Sequence, residues 1–134
     1  MPRQISTFLM FQGKAEEAMR FYTSLFADGE ITALFRYGPD QGGVEGTVMQ
    51  AAFRMAGQNF VCIDSSIDHG FGFTPAITLF IDCTDDAELE RLYQALSVDG
   101  QVLMPLGEYP FAQRYVWLVD RFGLSWQLAL KRVG

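Results

Sequence analysis

The sequence predicts an α+β fold in which a module of one strand, one helix and three further strands occurs twice in tandem. Three observations lead to this prediction. The spacing of the apolar residues changes from that of a strand to that of a helix at two places along the chain. Residues of the first half recur in the second at an offset of about 70, as Tyr22 and Tyr93 do. A hydrophobic content of 49% with 19% charged residues is typical of a globular domain.

The chain is predicted to be a single domain, residues 1–134, whose first module spans residues 1–64. Residues 5–11 (ISTFLMF) are rich in aromatic and branched side chains, which is typical of a buried strand. In residues 14–26 apolar side chains recur at helical spacing, and two glutamates in the first turn complement the helix dipole. Three more strands, separated by glycine-containing turns, are predicted at residues 30–37, 46–55 and 58–64.

The second module is predicted to span residues 74–134, after a linker at residues 65–73. Its helix is expected at residues 85–96, where leucines recur on one face. Asp85 and Glu88 have the spacing of a capping box at the start of this helix. The strands of the second module are predicted at residues 75–83, 101–107, 113–119 and 124–130.

Charge and hydropathy argue against two classes of partner. Sixteen acidic and ten basic residues give a formal charge of −6, so the field of the protein repels a polyanion such as nucleic acid. The first apolar run is too short for a membrane span or for the core of a signal peptide. The sequence therefore predicts a cytoplasmic protein that binds neither nucleic acid nor a membrane.

The two cysteines are predicted to be buried free thiols. Cys62 and Cys83 both lie in apolar runs with the character of strands, and they do not form a CxxC pair. A disulfide or a redox pair is the alternative.

Three segments together resemble a known superfamily: FLMFQGKAEEAMRFYTSLF, HGFGFTPAITLFIDC and DRFGLSWQL. They are similar to segments of the vicinal-oxygen-chelate superfamily, which includes glyoxalases, bleomycin-resistance proteins and dioxygenases. More narrowly they resemble its PhnB-like branch, whose members are often labelled 3-demethylubiquinone-9 3-methyltransferase. The resemblance covers nearly the whole chain. It implies a glyoxalase-type domain with a concave mixed sheet, and commonly a homodimer.

In metal-dependent members of this superfamily, the resemblance implies ligands at inward-facing positions on the first and last strand of each module. The side chains expected there are not usual ligands for a divalent ion, because they lack the charge and basicity of carboxylate or imidazole. The sequence therefore predicts no metal and no other cofactor, and it leaves Gln127 to orient a ligand by hydrogen bonds. The four positions are Thr7, Ala76, Val61 and Gln127.

Two modules side by side are expected to enclose a concave groove, which is a natural place for a small molecule. Strand alternation gives the groove a mostly apolar or hydroxyl-bearing lining, which suits a flat or aromatic ligand, and it places Trp126 and Leu128 beneath the helix. For Phe11 and Phe80 the ordinary core is the alternative, and for Gln127 a bond within the sheet. The candidate groove residues are Thr7, Leu9, Phe11, Asn59, Val61, Ala76, Thr78, Phe80, Ser125 and Gln127.

His69 is the only histidine and a candidate catalytic base. It lies in the linker near Asp64 and Asp68, where a carboxylate could hold its ring. A solvated loop residue and a metal site shared with these carboxylates are the alternatives.

The sequence favours a metal-free protein that binds a small apolar or aromatic metabolite. One alternative is an enzyme that acts on an aromatic or quinone-like substrate and uses His69 or a carboxylate as its base. Another is a purely structural or interaction role, in which phenylalanine side chains fill the groove. The label of the branch implies a methyltransferase, but the chain has neither the glycine-rich turn after a parallel strand nor the helix N-terminus that receive the cofactor in a Rossmann-type methyltransferase.

Overall fold

The computed structural model describes residues 3–133, and the chain divides into two compact units between Phe71 and Gly72. Each unit contains one helix and a four-stranded sheet, in the order strand, helix and three strands. The predicted α+β fold of two βαβββ modules is thus confirmed. Neither described helix is long and apolar enough to cross a membrane.

The first unit has its strands in the order β1-β4-β3-β2, with β1 parallel to β4 and the other pairs antiparallel. Gly57, which follows β3, adopts a left-handed conformation (φ 76°) that permits the tight turn into β4. The elements are β1 (Thr7–Phe11), α1 (Ala15–Ser24), β2 (Glu30–Arg36), β3 (Val48–Met55) and β4 (Gln58–Asp64).

Helix α1 covers one face of the first sheet and leaves the other open. It packs against β2, β3 and β4, and buries Ala18, Met19 and Tyr22. The Met19 sulfur lies 3.9 Å from the Cys62 sulfur, which places Cys62 on the covered face. We call this the helix face of the sheet and the opposite side its open face. Residues paired across neighbouring strands share a face, so the strand register assigns the others.

The second unit repeats this arrangement, with strand order β5-β8-β7-β6 and β5 parallel to β8. Gly100 follows its helix where a side-chain carbon would lie 2.2 Å from the carbonyl oxygen of Val119, so only glycine permits the close approach. The elements are β5 (Thr78–Asp82), α2 (Asp86–Ser97), β6 (Gln101–Tyr109), β7 (Ala112–Val119) and β8 (Ser125–Leu130).

Helix α2 begins with its own cap. The Asp85 carboxylate accepts a hydrogen bond from the Glu88 backbone N–H at 2.8 Å, as the capping-box spacing predicts. The Glu88 carboxylate reaches back to the N–H of Thr84 at 2.9 Å, one residue before the expected partner. The helix packs against β7 and β8, where Trp126 and Leu128 are fully buried, and these two residues define the helix face of the second sheet.

Each unit also buries one aspartate whose carboxylate ties backbone segments together. Asp64, at the end of β4, is 3% exposed and accepts hydrogen bonds from the N–H groups of Gly13, Ala15 and Val48 at 2.8–2.9 Å. A buried carboxylate needs such donors, because an unpaired charge in the interior is costly. Asp64 therefore holds the start of α1 and the start of β3 to the end of β4.

Asp120 has the corresponding role in the turn between β7 and β8. Its carboxylate accepts from the backbone N–H groups of Phe122 and Leu124 and from the indole N–H of Trp126. Asp120 is also 3% exposed. The turn is thus built around a carboxylate that also anchors the largest side chain of the second core.

The two cysteines are buried free thiols, as predicted. Burial raises the pKa of both Cys62 and Cys83 to about 12. Because the thiolate is the reactive form, both side chains act as apolar core residues at neutral pH.

Candidate functional site

The open face of the second sheet brings together four of the predicted groove residues. Thr78 pairs with Ser125 and Phe80 pairs with Gln127 in the parallel register of β5 and β8. Their intervening neighbours, including Trp126, lie on the opposite face beneath α2. The predicted alternation of β8 therefore agrees with the structure. Phe80 is 53% exposed, so its ring is available on this face.

Strand β7 adds two aromatic residues to the same face. Trp117 pairs with Gln127, and Tyr115 pairs with Ala129. Sequence reasoning missed both, although alternation along QRYVWLV could have found them once the facing residues of β8 were known.

A chain of hydrogen bonds fixes the polar groups at one end of this face. The indole N–H of Trp117 donates to the Ser125 hydroxyl at 2.8 Å, and Ser125 donates to the Thr78 hydroxyl at 2.8 Å. Ser125 is fully buried, so its hydroxyl needs these partners. The hydrogen bonds hold β5, β7 and β8 in a fixed relation at this end.

Gln127 forms a hydrogen bond with the neighbouring strand. The Tyr115 hydroxyl donates to the Gln127 side-chain oxygen at 2.5 Å, so the alternative that Gln127 bonds within the sheet holds for its oxygen. Tyr115 is 3% exposed, and burial raises the pKa of its phenol above the usual value. Among residues 3–133, the Gln127 side-chain nitrogen has no hydrogen-bond partner. This side chain is half-buried, so its N–H groups can reach a ligand.

Next to Gln127 lies a group of three rings that we call the aromatic cluster: Tyr109, Phe111 and Tyr115. Phe111 meets Tyr115 edge to face with ring centroids 4.9 Å apart, and Tyr109 stacks on Phe111 at 5.5 Å. Tyr109 is held by its hydroxyl, which donates to the Pro105 carbonyl oxygen at 2.6 Å. Phe111 is 59% exposed. The cluster therefore offers an apolar surface on a rigid base.

The β1 candidates lie on the other side of their sheet. Thr7, Leu9 and Phe11 pair in register with alternate residues of β4 that include Cys62, and Cys62 contacts Met19 of α1. They are thus on the helix face, where Leu9 and Phe11 are almost completely buried. The expected inward orientation of these side chains is corrected here. A strand has a period of two, so an error of one residue in counting back from the helix inverts the face.

The remaining candidates fall in two places. Asn59 and Val61 lie on the open face of the first sheet, where Val61 pairs with Phe8 of β1. Ala76 lies in the turn before β5 and is exposed. Ala76 precedes β5 and has no partner in its register with β8, whereas Thr7 lies within β1 and pairs with Phe60, so the two residues do not occupy corresponding positions.

The residues present do not fit a divalent metal at the positions that the resemblance implies. On the open faces, the first and last strands pair Phe8 with Val61 and Phe80 with Gln127. Three of these side chains are hydrocarbons, and the fourth is a neutral amide whose oxygen is already bonded to Tyr115. No group of three or more His, Cys, Asp and Glu side chains suited to a metal occurs in the described part of the chain.

His69 lies in the first unit and is exposed. Its Nε2 atom is 2.9 Å from the Ser65 hydroxyl, and its ring packs against Phe71 with centroids 5.4 Å apart. The nearby carboxylates have other partners, since Asp68 accepts from the Gly70 N–H. The structure thus places a hydroxyl, and not the expected carboxylate, at this ring nitrogen.

Ser65 also lines a cleft of about 370 Å³ in the first unit. Most of the lining residues are of polar types, and Asp64 contributes a carboxylate whose two oxygens accept backbone hydrogen bonds. Carboxylates in the wall oppose the build-up of negative charge on a bound substrate. The lining residues are Gln12, Gly13, Val44, Thr47, Asp64, Ser65, Ser66 and Asp68.

Comparisons with known proteins identify a family. The family model described as 3-demethylubiquinone-9 3-methyltransferase matches residues 3–129. The chain is 52% identical to the PhnB protein from Bacillus cereus, over 96% of this chain and 99% of that one, with a TM-score of 0.92. No curated protein matches the chain.

More distant structures share the fold. A glyoxylase/bleomycin resistance protein/dioxygenase domain from a Frankia species is 16% identical, with a TM-score of 0.65 and 98% of both chains covered. A fosfomycin resistance protein from Mesorhizobium loti is 13% identical, with a TM-score of 0.58 and coverage of 99% of this chain and 94% of that one. The architecture is thus that of vicinal-oxygen-chelate proteins.

Proposed function

The chain belongs to the 3-demethylubiquinone-9 3-methyltransferase family, and on that premise we propose that it binds a small apolar or aromatic metabolite without a divalent metal. The site is the open face of the second sheet. The observation that carries the proposal is the composition of this face: the exposed ring of Phe80 lies in register with Gln127, exposed Phe111 packs on Tyr115, and the Gln127 nitrogen has no partner among residues 3–133. Such a surface suits a flat molecule held by stacking and few hydrogen bonds.

Preorganisation supports a binding role. The Trp117, Ser125 and Thr78 hydrogen bonds and the Tyr115–Gln127 bond hold the polar groups in place before any ligand arrives. A rigid site loses less conformational entropy on binding than a flexible one, so more of the contact energy appears as affinity.

The metal-free part of the proposal rests on donor chemistry. Gln127 carries no charge, and its oxygen is committed to Tyr115, so it can orient a ligand but cannot replace a carboxylate ligand of a cation. Phe80, its partner in register, offers no donor atom.

A second candidate function is an enzyme that acts on an aromatic or quinone-like substrate, with His69 as base. One observation favours it: His69 Nε2 and the Ser65 hydroxyl form a base and hydroxyl pair in hydrogen-bond contact, and Ser65 lines a cleft. The carboxylates in the same wall disfavour an oxyanion there. This hypothesis predicts turnover that His69→Ala abolishes with the fold intact.

The test begins with native mass spectrometry of the purified protein, which reports subunit number, metal content and any retained small molecule together. We expect a dimer without a stoichiometric metal. A tight divalent-metal complex would overturn the metal-free proposal.

Equilibrium dialysis with 2-ethylnaphthalene then tests the site. We expect Phe80→Ala to weaken binding about tenfold, because it removes an aromatic contact surface. Phe35→Ala is the matched control, since Phe35 is 61% exposed on the open face of the first sheet. Equal losses in both variants, or no binding by the wild type, would contradict the proposed site.

A further inference from the structure

The hydrogen bond between Tyr115 and Gln127 determines which end of the amide faces a ligand. The Tyr115 hydroxyl lies 2.5 Å from the Gln127 side-chain oxygen, and the side-chain nitrogen occupies the other end of the amide. The amide oxygen can only accept, so the phenol, which has a single proton, is the donor in this bond. The amide nitrogen then points away from Tyr115, and its two N–H groups have no partner among residues 3–133.

The two residues in register with Gln127 offer its side-chain nitrogen no acceptor. Its partners in register are Phe80 on β5 and Trp117 on β7. Phe80 has no polar atom, and the indole N–H of Trp117 is itself a donor that is bonded to Ser125. The hydrogen bond to the Gln127 side chain among residues 3–133 is made to its oxygen, so a ligand or water supplies any acceptor for the nitrogen.

The second chain of hydrogen bonds on this face, from Trp117 through Ser125 to Thr78, also ends in a donor group. The indole N–H of Trp117 can only donate, so the Ser125 hydroxyl accepts from it and donates its own hydrogen bond to the Thr78 hydroxyl. The hydroxyl proton of Thr78 is left to donate further. Both chains therefore run in one direction and end in a donor group.

From this geometry we propose that the site selects flat aromatic molecules that carry a carbonyl-type oxygen, which accepts from the Gln127 side-chain nitrogen. The inference rests on the proposed function, because it specifies the ligand class of the same site. Tyr115 is a positioning residue here: it does not contact the ligand oxygen but keeps the amide in the donating orientation. Its phenol remains protonated at neutral pH because burial raises its pKa further.

The experiment measures a preference, not only an affinity. Equilibrium dialysis compares 2-acetylnaphthalene with 2-ethylnaphthalene, which have nearly the same shape but differ in the carbonyl oxygen. We expect the ketone to bind the wild-type protein about fivefold more tightly, the effect of one hydrogen bond of ordinary strength. In Gln127→Leu the two affinities should become equal, while binding of the hydrocarbon is retained.

Two further variants test the direction of the hydrogen bond. In Tyr115→Phe the amide can turn over, so the preference for the ketone should fall although Gln127 is intact. In Gln127→Glu the free oxygen is an acceptor, so 2-naphthol, which has a donor, should bind more tightly than the ketone. Gln50→Leu, on β3 of the first sheet, is the matched control and should leave the preference at about fivefold. Thermal unfolding of each variant confirms that the fold persists.

The outcomes separate the two proposals. If neither naphthalene probe binds the wild type, the proposed function fails. If both bind equally well and Gln127→Leu changes neither affinity, binding stands but the donor role of Gln127 is overturned. A ketone preference that survives Gln127→Leu would likewise overturn it, since another group would then supply the donor.

Discussion

The two units share one topology but begin their helices by different means. Helix α2 is capped locally, because Asp85 immediately precedes it and accepts from Glu88. Helix α1 follows Lys14, which provides no side-chain cap. Its first N–H, that of Ala15, is bonded instead by Asp64 from the end of β4. A helix terminus can thus be stabilised by a neighbour in sequence or by a residue about fifty positions away. The loss of stability on removing the cap is expected to differ strongly between the two cases.

The open faces of the two sheets also differ, in the hydrogen bonds that their aromatic side chains make. The open face of the first sheet presents the exposed rings of Phe8 and Phe35. Among the described residues, no buried aromatic side chain on that face donates a hydrogen bond. The second combines exposed rings with Tyr115 and Trp117, whose polar atoms are bonded to β8. The two sheets share one topology, and the hydrogen bonds from Tyr115 and Trp117 to polar side chains of β8 belong to the second.

The largest expected effect comes from the tertiary cap. Asp64→Ala removes an acceptor that serves three backbone N–H groups, those of Gly13, Ala15 and Val48. We expect the free energy of unfolding to fall by about 3–5 kcal/mol, because buried donors are left without partners. Urea denaturation checks this. Asp68→Ala is the control, since exposed Asp68 bonds only Gly70 among residues 3–133; equal losses in the two variants would contradict the role of Asp64.

The local cap should matter less. Asp85→Ala leaves one exposed helix N–H to be solvated by water, so the expected loss is about 1 kcal/mol. Lys14→Ala, the corresponding change at α1, should alter stability very little because Lys14 does not cap. The same urea titration measures both. A Lys14→Ala loss as large as that of Asp85→Ala would remove the contrast between the two helices.

Ion pairs tie each helix to its sheet and should give a small pH dependence. Hydrogen bonds from Arg36 of β2, and then from Arg20, lower the pKa of Glu16 on α1. Since the folded-state pKa is depressed, the carboxylate contributes stability above its unfolded pKa, and the contribution is lost as pH falls through the folded value. Glu16→Gln should therefore be less stable than wild type at pH 7, and the difference should vanish in acid.

The corresponding pair in the second unit is Arg114 of β7 with Glu90 of α2, and Arg114 likewise lowers the pKa of Glu90. Glu90→Gln should follow the same pH profile. Both differences are expected to be small, because the groups are exposed and solvent screens them. A stability difference that persists below pH 2 in either variant would show that the charge is not its cause.

The thiols of the two units should be equally unreactive in the native protein. Burial raises the pKa of Cys62 and Cys83 alike to about 12, so neither should react with a thiol reagent in the native protein at pH 8. Mass spectrometry should find two modified cysteines only after denaturation. Rapid labelling of one cysteine in the native state would reveal local opening in that unit.

The order of the elements could be predicted because hydrophobic period and turn residues are local signals. The strand predicted at residues 58–64 has the same bounds in the structure, whereas the one predicted at 5–11 begins at Thr7. Strand ends depend on pairing partners, and Ile5 lies before the pairing with β4 starts. Local pattern therefore determines that an element exists better than where it ends.

The sequence predicted the face of the β5 and β8 residues of the candidate site, but not that of the β1 residues. Phe80 and Gln127 could be placed on one face because β8 alternates clearly, and the register confirms the pairing. Thr7 could not be placed, because its face depends on counting across the turn between β1 and α1. The roles of Tyr115 and Asp64 depend on distant partners, which periodicity along one strand does not reveal.

The sequence by itself determined the fold class, the tandem modules and the identity of the side chains on β8, since these follow from composition and local spacing. Only the tertiary structure decided which face each residue of β1 occupies, that Asp64 caps a helix from another strand, and that Tyr115 orients the Gln127 amide. The physical reason is that a hydrogen bond across strands depends on register. Register is set by the packing of whole elements against each other and not by any one segment.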